Sequence, residues 1–276
     1  MILALPECGL GDALALTATI RELHLAEPSR AVAVLPSDYD DVWTGNPHFA
    51  PADQARRDGV TVALEVEKYG DVGNIAVSFG IQLGVRVTDS TPELYGVEDA
   101  KFAAEDDGPR VALDIHARAL SRRWHFERWC EVVATLSRMG IKCYGTGKRV
   151  PDHDVRIVTD TRSVHGLAVD FTDTLSLRKT AGMIRAMDLF IGMDSGGAHL
   201  AAACGIPQVV LYSRSPWYSR AYWNTTPVYH QAPPCPVLCN RDCGEAPYIS
   251  RCLDAVTPRM VVDGVLLALR RFPRKG

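Results

Sequence analysis

Apolar and polar positions alternate along this chain in two registers, one read with a period of two and one with a helical period. Ile2 to Leu5 is a short apolar run and predicts a strand. Gly9-Leu10-Gly11-Asp12 turns the chain, and Ala13 to Leu25 has helical apolar spacing with strong helix formers, ending before Pro28. Strands are predicted at Ala31 to Leu35 and Val60 to Val66, and a helix at Asn74 to Leu83. After a polar stretch from Asp99 to Pro109 the pattern starts again. Strands are expected at Arg110 to Ile115, Ile141 to Tyr144, near Val155 to Val158, at the run ending Phe190-Ile191-Gly192-Met193, and at Gln208 to Tyr212. Helices are expected at Phe126 to Met139, Ser176 to Met187, in the small-residue run that starts at Gly196, and at Thr257 to Arg271. Strands that alternate with helices imply parallel sheets in an α/β protein. The polar stretch divides the chain into residues 1–105 and 106–276, two similar halves with a cleft between their C-terminal strand ends.

Composition changes this picture little. The chain has 276 residues, 47% apolar and 23% charged, the balance of an ordinary globular protein. A net charge of −3 with no long basic run excludes a nucleic-acid platform. Arg270, Arg271, Arg274 and Lys275 make a small basic tail, whose strongest membrane role is a peripheral contact with anionic lipid. No apolar run spans a bilayer, and the start reads as a buried strand rather than a signal peptide. The expectation is a cytoplasmic location, extending at most to the inner face of a membrane, with reduced cysteines.

The chemistry concentrates at strand ends. Asp194-Ser195-Gly196-Gly197-Ala198-His199 follows a predicted strand and opens a helix. Backbone N–H groups and the positive end of the helix dipole meet there, and two glycines let the backbone approach a ligand, so a phosphate fits. Small residues for close packing are the plainer explanation. Gly9 and Gly11 resemble a dinucleotide fingerprint, but Leu14 stands where the third small residue belongs, which argues against a nicotinamide or flavin site. Asp12, at the start of its helix, reads either as a general base at the mouth of the cleft or as a helix cap. His116, Arg122 and Arg123 follow the strand at Arg110 and are candidates for neutralising a diphosphate, with a solvated basic loop as the alternative. Gly145-Thr146-Gly147-Lys148 follows another strand and suits a nucleotide pocket, but lacks the P-loop spacing. Cys235, Cys239, Cys243 and Cys252 lie within eighteen residues. Four thiolates so close suit a structural zinc or iron, with two disulfides or free thiols as the alternatives.

Three stretches together resemble glycosyltransferase family 9, the ADP-heptose:lipopolysaccharide heptosyltransferase family. They are Gly9-Leu10-Gly11-Asp12, Arg123-Trp124-His125-Phe126-Glu127-Arg128-Trp129, and the run from Leu189 through Asp194-Ser195-Gly196-Gly197-Ala198-His199-Leu200 to Ala203. The tail Cys252 to Val261 fits as well. The resemblance implies a GT-B fold: two Rossmann-like domains with parallel sheets facing across a cleft, acceptor on the first and nucleotide sugar on the second. The last helix is expected to pack back on the first domain. The resemblance also implies Asp12 as base, with Gly9 and Gly11 beside it on the acceptor side. The donor site it implies is Asp194 to His199; Arg122, Arg123, His116 and Gly145, at the other strand ends, are the donor-binding candidates beside it. No cofactor is implied for catalysis, although some relatives that glycosylate autotransporter proteins carry a cysteine-bound iron.

The expected reaction is inverting transfer of a sugar, heptose by the resemblance, from a nucleotide-diphosphate donor such as ADP-heptose. The acceptor is a hydroxyl on a glycan, a lipid-linked saccharide or a protein. The first half is short for the family, so its acceptor side is reduced or different. That shortness motivates one alternative, a non-catalytic nucleotide-sugar-binding module; a sugar-nucleotide epimerase of the same fold is another.

Overall fold

The computed structural model describes residues 1–5, 8–51, 61–65, 73–100, 108–119, 122–149, 164–213, 217–229 and 251–273. In the first half β1 (Ile2–Ala4), β2 (Ala33–Val34) and β3 (Thr61–Ala63) form a parallel sheet in the order β2-β1-β3. Its helices are α1 (Leu10–Ala26), α2 (Asp40–Trp43) and α3 (Ile75–Leu83). In the second half β4 (Arg110–Asp114), β5 (Lys142–Gly145), β6 (Val169–Asp170), β7 (Leu189–Met193), β8 (Gln208–Leu211) and β9 (Thr225–Val228) form a six-stranded parallel sheet. Its order, β6-β5-β4-β7-β8-β9, is that of a doubly wound nucleotide-binding sheet, with the switch in winding direction between β4 and β7. Helices α4 (Phe126–Arg138), α5 (Leu177–Arg185), α6 (Gly196–Ala203), α7 (Arg251–Asp254) and α8 (Pro258–Arg271) complete it.

Helix starts follow capping chemistry. Asn74 accepts from the Ala76 N–H at α3, Ser176 caps α5, and Thr257 caps α8 with Pro258 directly after it. At α1 the Asp12 carboxylate accepts from the Gly9 N–H at 2.7 Å, the return half of a capping box, since Gly9 has no side chain to supply the other half. Helix α6 differs. The hydroxyl of its N-cap Ser195 donates to the His116 carbonyl at 3.2 Å, and no side chain caps the helix.

Two apolar clusters fill the interior. One lies under α4 and α8 on one face of the six-stranded sheet, where Trp129, Val132, Val133 and Leu136 meet Val261, Val265 and Ala268. The last helix therefore packs on the second sheet and on α4. This corrects the expected return to the first half, because its apolar stripe is taken up by that sheet face. The other cluster crosses the whole molecule: Leu3, residues of α1, and Phe79 of α3 join Met183, Phe190, Leu200 and Val210 of the second half. Residues Ala13 through Ile20 of α1 are all buried, so this helix has no solvated face over that stretch.

One arginine ties the segment after α3 to α1, and another bridges the two halves. Arg21 of α1 donates to the Asp89 and Thr91 carbonyls, and Arg178 of α5 donates to the Thr44 carbonyl at 2.7 Å. The expected boundary at residue 105 and the expected strand near Val155 lie outside the described residues. No helix among the described residues is long and apolar enough to cross a membrane.

Candidate active site

One cavity of about 850 Å³ lies at the C-terminal ends of β4 and β7, the switch point of the second sheet, and is closed on the other side by the start of α1 and by residues around Tyr39. Two helix N-termini meet there. A Cβ on Gly11 would sit 2.5 Å from Cδ2 of His199, and one on Gly196 would sit 3.0 Å from Cβ of Leu10. The glycines are what let α1 and α6 converge, and each helix brings its positive end to the cavity.

The structure gathers Gly9, Gly11, Asp12, His116, Arg122, Ser195, Gly196, Gly197 and His199 around this space. The wall is polarised. The first half contributes Asp12, Asp38 and Asp41, and the second half contributes Arg118, Arg122, Lys148, Arg149 and Arg220 beside the acid Asp114. Some of these cations are already oriented. Arg118 donates to the Tyr39 hydroxyl at 3.0 Å, across the two halves. Arg149 pairs with Asp173 at 3.0 Å.

Four residues expected at the site do not line the cavity. Asp194 is buried behind Arg122, whose Nη1 donates to the Asp194 carbonyl at 3.1 Å and whose Nε lies 3.8 Å from its carboxylate. Asp194 therefore holds a cavity arginine in place. Ala198 faces the interior. Arg123 turns away and donates to the Ala117 carbonyl at 2.9 Å. Gly145 lies at a neighbouring cleft, where a side chain would collide with the Asp170 carboxylate. The rest of the Arg-Trp stretch is an anchor for the chain end. Trp124 donates from Nε1 to the Leu253 and Val256 carbonyls, and Arg128 donates to the Asp254 and Val256 carbonyls.

Of the residues that escaped the sequence reading, two matter most here. Asp114, at the end of β4, lines the cavity between Gly147 and Gly197, either of which would strike its carboxylate if it carried a side chain. Burial raises its pKa, offset in part by the nearby His116 and its N–H. A polar residue that closes an apolar strand at a switch point was the available signal. Tyr222 places its hydroxyl 2.6 Å from Nδ1 of His199, with the two rings edge to face. Nothing in local sequence pointed to it, because 23 residues separate the pair.

His199 is buried at the cavity wall. Burial lowers its pKa to about 4; Asp194 pulls it up, while Arg220 and Arg122 push it down. It is a neutral imidazole at neutral pH. Of the four clustered cysteines, Cys235, Cys239 and Cys243 lie outside the described residues, and Cys252 is buried and bonded to no other cysteine among the described residues. Among the described residues no group of acidic, histidine or cysteine side chains has the make-up of a metal site. Burial pushes the Cys143 and Cys204 thiols up to about 12, which makes them packing residues.

Two parallel sheets with a polarised cleft and an uncapped helix N-terminus at a switch point define a GT-B glycosyltransferase architecture. The family model described as glycosyltransferase family 9 (heptosyltransferase) matches residues 66–232, more than half of the chain, and the chain belongs to that family. It is a glycosyltransferase of heptosyltransferase type.

Solved structures share the fold. The iron-containing dodecameric glycosyltransferase TibC from enterotoxigenic E. coli is 21% identical, with a TM-score of 0.77 over 98% of this chain and 76% of that one. A family 9 glycosyltransferase from Veillonella parvula is 14% identical, with a TM-score of 0.71 over 98% of this chain and 97% of that one. The ADP-heptose lipopolysaccharide heptosyltransferase II of E. coli is 12% identical, with a TM-score of 0.62 over 98% of both chains. A comparison with curated protein sequences found no match.

Proposed function

We propose that the cavity binds a nucleotide-diphosphate sugar on its basic wall and an acceptor hydroxyl on its acidic wall, and that Asp12 is the base for inverting transfer between them. The observation that carries this is the convergence of α1 and α6. It brings the Asp12 carboxylate and the uncapped end of α6 to one space of about 850 Å³, large enough for a nucleotide sugar. The donor is read as ADP-heptose. One TibC structure is a complex with ADP-D-beta-D-heptose, and this chain shares its fold.

In the proposed reaction the acceptor oxygen attacks the anomeric carbon on the face opposite the diphosphate. The bond from that carbon to the diphosphate oxygen breaks, ADP leaves, and Asp12 takes the acceptor proton. Negative charge grows on the leaving diphosphate. The N–H groups of Gly196 and Gly197, the α6 dipole and Arg122 stabilise it. The capping bond to the Gly9 N–H and the base role are compatible: the cap holds the carboxylate at the helix start, where an acceptor reaches it. The acceptor is a glycan, a lipid-linked saccharide or a protein hydroxyl, and the enzyme works in the cytoplasm, at the inner membrane face when the acceptor is lipid-linked.

Asp12→Asn tests the assignment. It keeps an oxygen for the cap, so ADP binding by calorimetry is expected to stay within a few-fold of the parent. Transfer from ADP-heptose is expected to fall by about a hundredfold or more. Transfer at the parent rate removes Asp12 as base. Release of an isomerised donor without an acceptor reassigns the cavity to epimerisation.

A further inference from the structure

His199 projects from the first turn of α6 into the cavity wall, and its two ring nitrogens face different surroundings. Nδ1 meets the Tyr222 hydroxyl at 2.6 Å. Nε2 makes no hydrogen bond to any described residue, and the Cδ2–Nε2 edge faces Gly11 at the cavity. Which nitrogen carries the proton decides what the cavity is offered.

The surroundings of Tyr222 decide it. Its backbone is pinned by a reciprocal pair with Thr225: the Tyr222 N–H donates to Oγ1 at 3.0 Å, and the Thr225 N–H donates to the Tyr222 carbonyl at 3.0 Å. Asn74, at the start of α3 in the other half, spends its Oδ1 on the Ala76 N–H. Its buried NH₂ makes no hydrogen bond among the described residues, and an amide NH₂ offers the Tyr222 hydroxyl no acceptor. A phenol is the stronger donor and an imidazole nitrogen the stronger acceptor of this pair, so in the 2.6 Å contact the hydroxyl proton points to Nδ1. Burial raises the Tyr222 pKa well above the free-phenol value, so that proton stays in place throughout the physiological range.

We propose that Tyr222 is a positioning residue that fixes His199 as the Nε2–H tautomer, so that His199 serves as an uncharged hydrogen-bond donor to a diphosphate oxygen of the bound nucleotide sugar. The inference rests on the donor-site reading of this cavity. A neutral donor suits a leaving group that must depart: it adds a hydrogen bond to the growing charge without the tight ground-state ion pair that an imidazolium makes. Gly11 gives the imidazole edge the room it needs, since any side chain there would occupy its place.

Histidine-selective ¹⁵N labelling of the full-length, ligand-free chain reads the tautomer. The His199 signals are identified by their loss in His199→Gln. In the parent they are expected to show neutral Nε2–H at pH 7 and still at about pH 5, given a pKa of about 4. An Nδ1–H tautomer or an imidazolium at pH 7 overturns the proposal, and this parent spectrum decides even if variants fold poorly. Tyr222→Phe keeps the ring and removes the proton. Its expected spectrum is a mixture of tautomers. Its midpoint is expected to move up, because Asp194 still attracts a proton against Arg220 and Arg122 while the bond to the neutral form is gone.

ADP is the ligand for the second measurement. Tyr222→Phe is expected to weaken it about three- to tenfold at pH 7, the value of one hydrogen bond. Equal affinity in parent and variant overturns the donor role even if the tautomer is as stated. Absence of ADP binding in the parent overturns the donor-site reading itself, an outcome distinct from a wrong tautomer.

Discussion

His199 shows how a single side chain couples the site to stability. Its folded-state pKa of about 4 lies below the free-imidazole value of 6.5, because burial disfavours the charged ring. Between those pH values the unfolded chain binds a proton that the folded chain refuses. Stability conferred by the neutral ring is therefore complete above about 6.5, declines as the pH falls through the window, and levels off near 4. The depression corresponds to about 3 kcal/mol. His199→Gln is expected to lose that part of the slope, measured as the difference between parent and variant urea-unfolding free energies from pH 7 to pH 4. Parallel curves would contradict the buried neutral imidazole. The residue scale is also where sequence reading was most uneven. Asp12, Ser195, Gly196 and Gly197 were visible because helix starts announce themselves locally. Asp194 backs Arg122 rather than lining the cavity, and in sequence a strand-end aspartate looks the same in either place.

Elements were legible wherever they are long and one-sided. Helix α4 carries its buried Trp129, Val132, Val133 and Leu136 at helical spacing, and the apolar strands β4, β7 and β8 are bounded by turns. Strand β9 was not expected, because Pro227 interrupts Thr225-Thr226-Pro227-Val228; as the edge of the sheet it tolerates a residue without an N–H. Strand β6 is two residues long and carries too little pattern. Glycines record contacts between elements that no pattern shows. A Cβ on Gly182 of α5 would overlap the carbonyl oxygen of Glu98, and that obstacle is backbone rather than a flexible side chain. Gly182→Ala is expected to cost about 1–3 kcal/mol and lower the melting temperature. Exposed Lys179→Ala in the same helix is expected to leave it nearly unchanged. A Gly182→Ala melting curve that overlays the parent's would refute the close approach.

At the scale of the molecule, the two halves share an apolar cluster. Helix α1 belongs by sequence to the first sheet, yet it packs on α3 on one side and α6 on the other, and its side chains join Phe190, Leu200 and Val210 in one cluster. Such a helix has no independent stability to offer a separate first domain. Unfolding by urea is expected as one transition, with tryptophan fluorescence and far-ultraviolet circular dichroism coincident. Two resolved transitions would show that the halves fold as separate units.

The alternation of strands and helices, the parallel sheets, the family and the glycine-rich start of α6 were all set by the sequence alone, since each depends on residues near one another in the chain. Tertiary structure decided what long-range packing decides. It joined Asp12 to the start of α6 across more than 180 positions. It turned Asp194 and Arg123 away from the cavity and brought in Asp114. It set the Tyr222 hydroxyl against His199. A helix end can be read from its neighbours in sequence, but which side chain a cavity receives depends on which backbones approach closely enough. In this chain the glycines at 11, 147, 196 and 197 set those approaches.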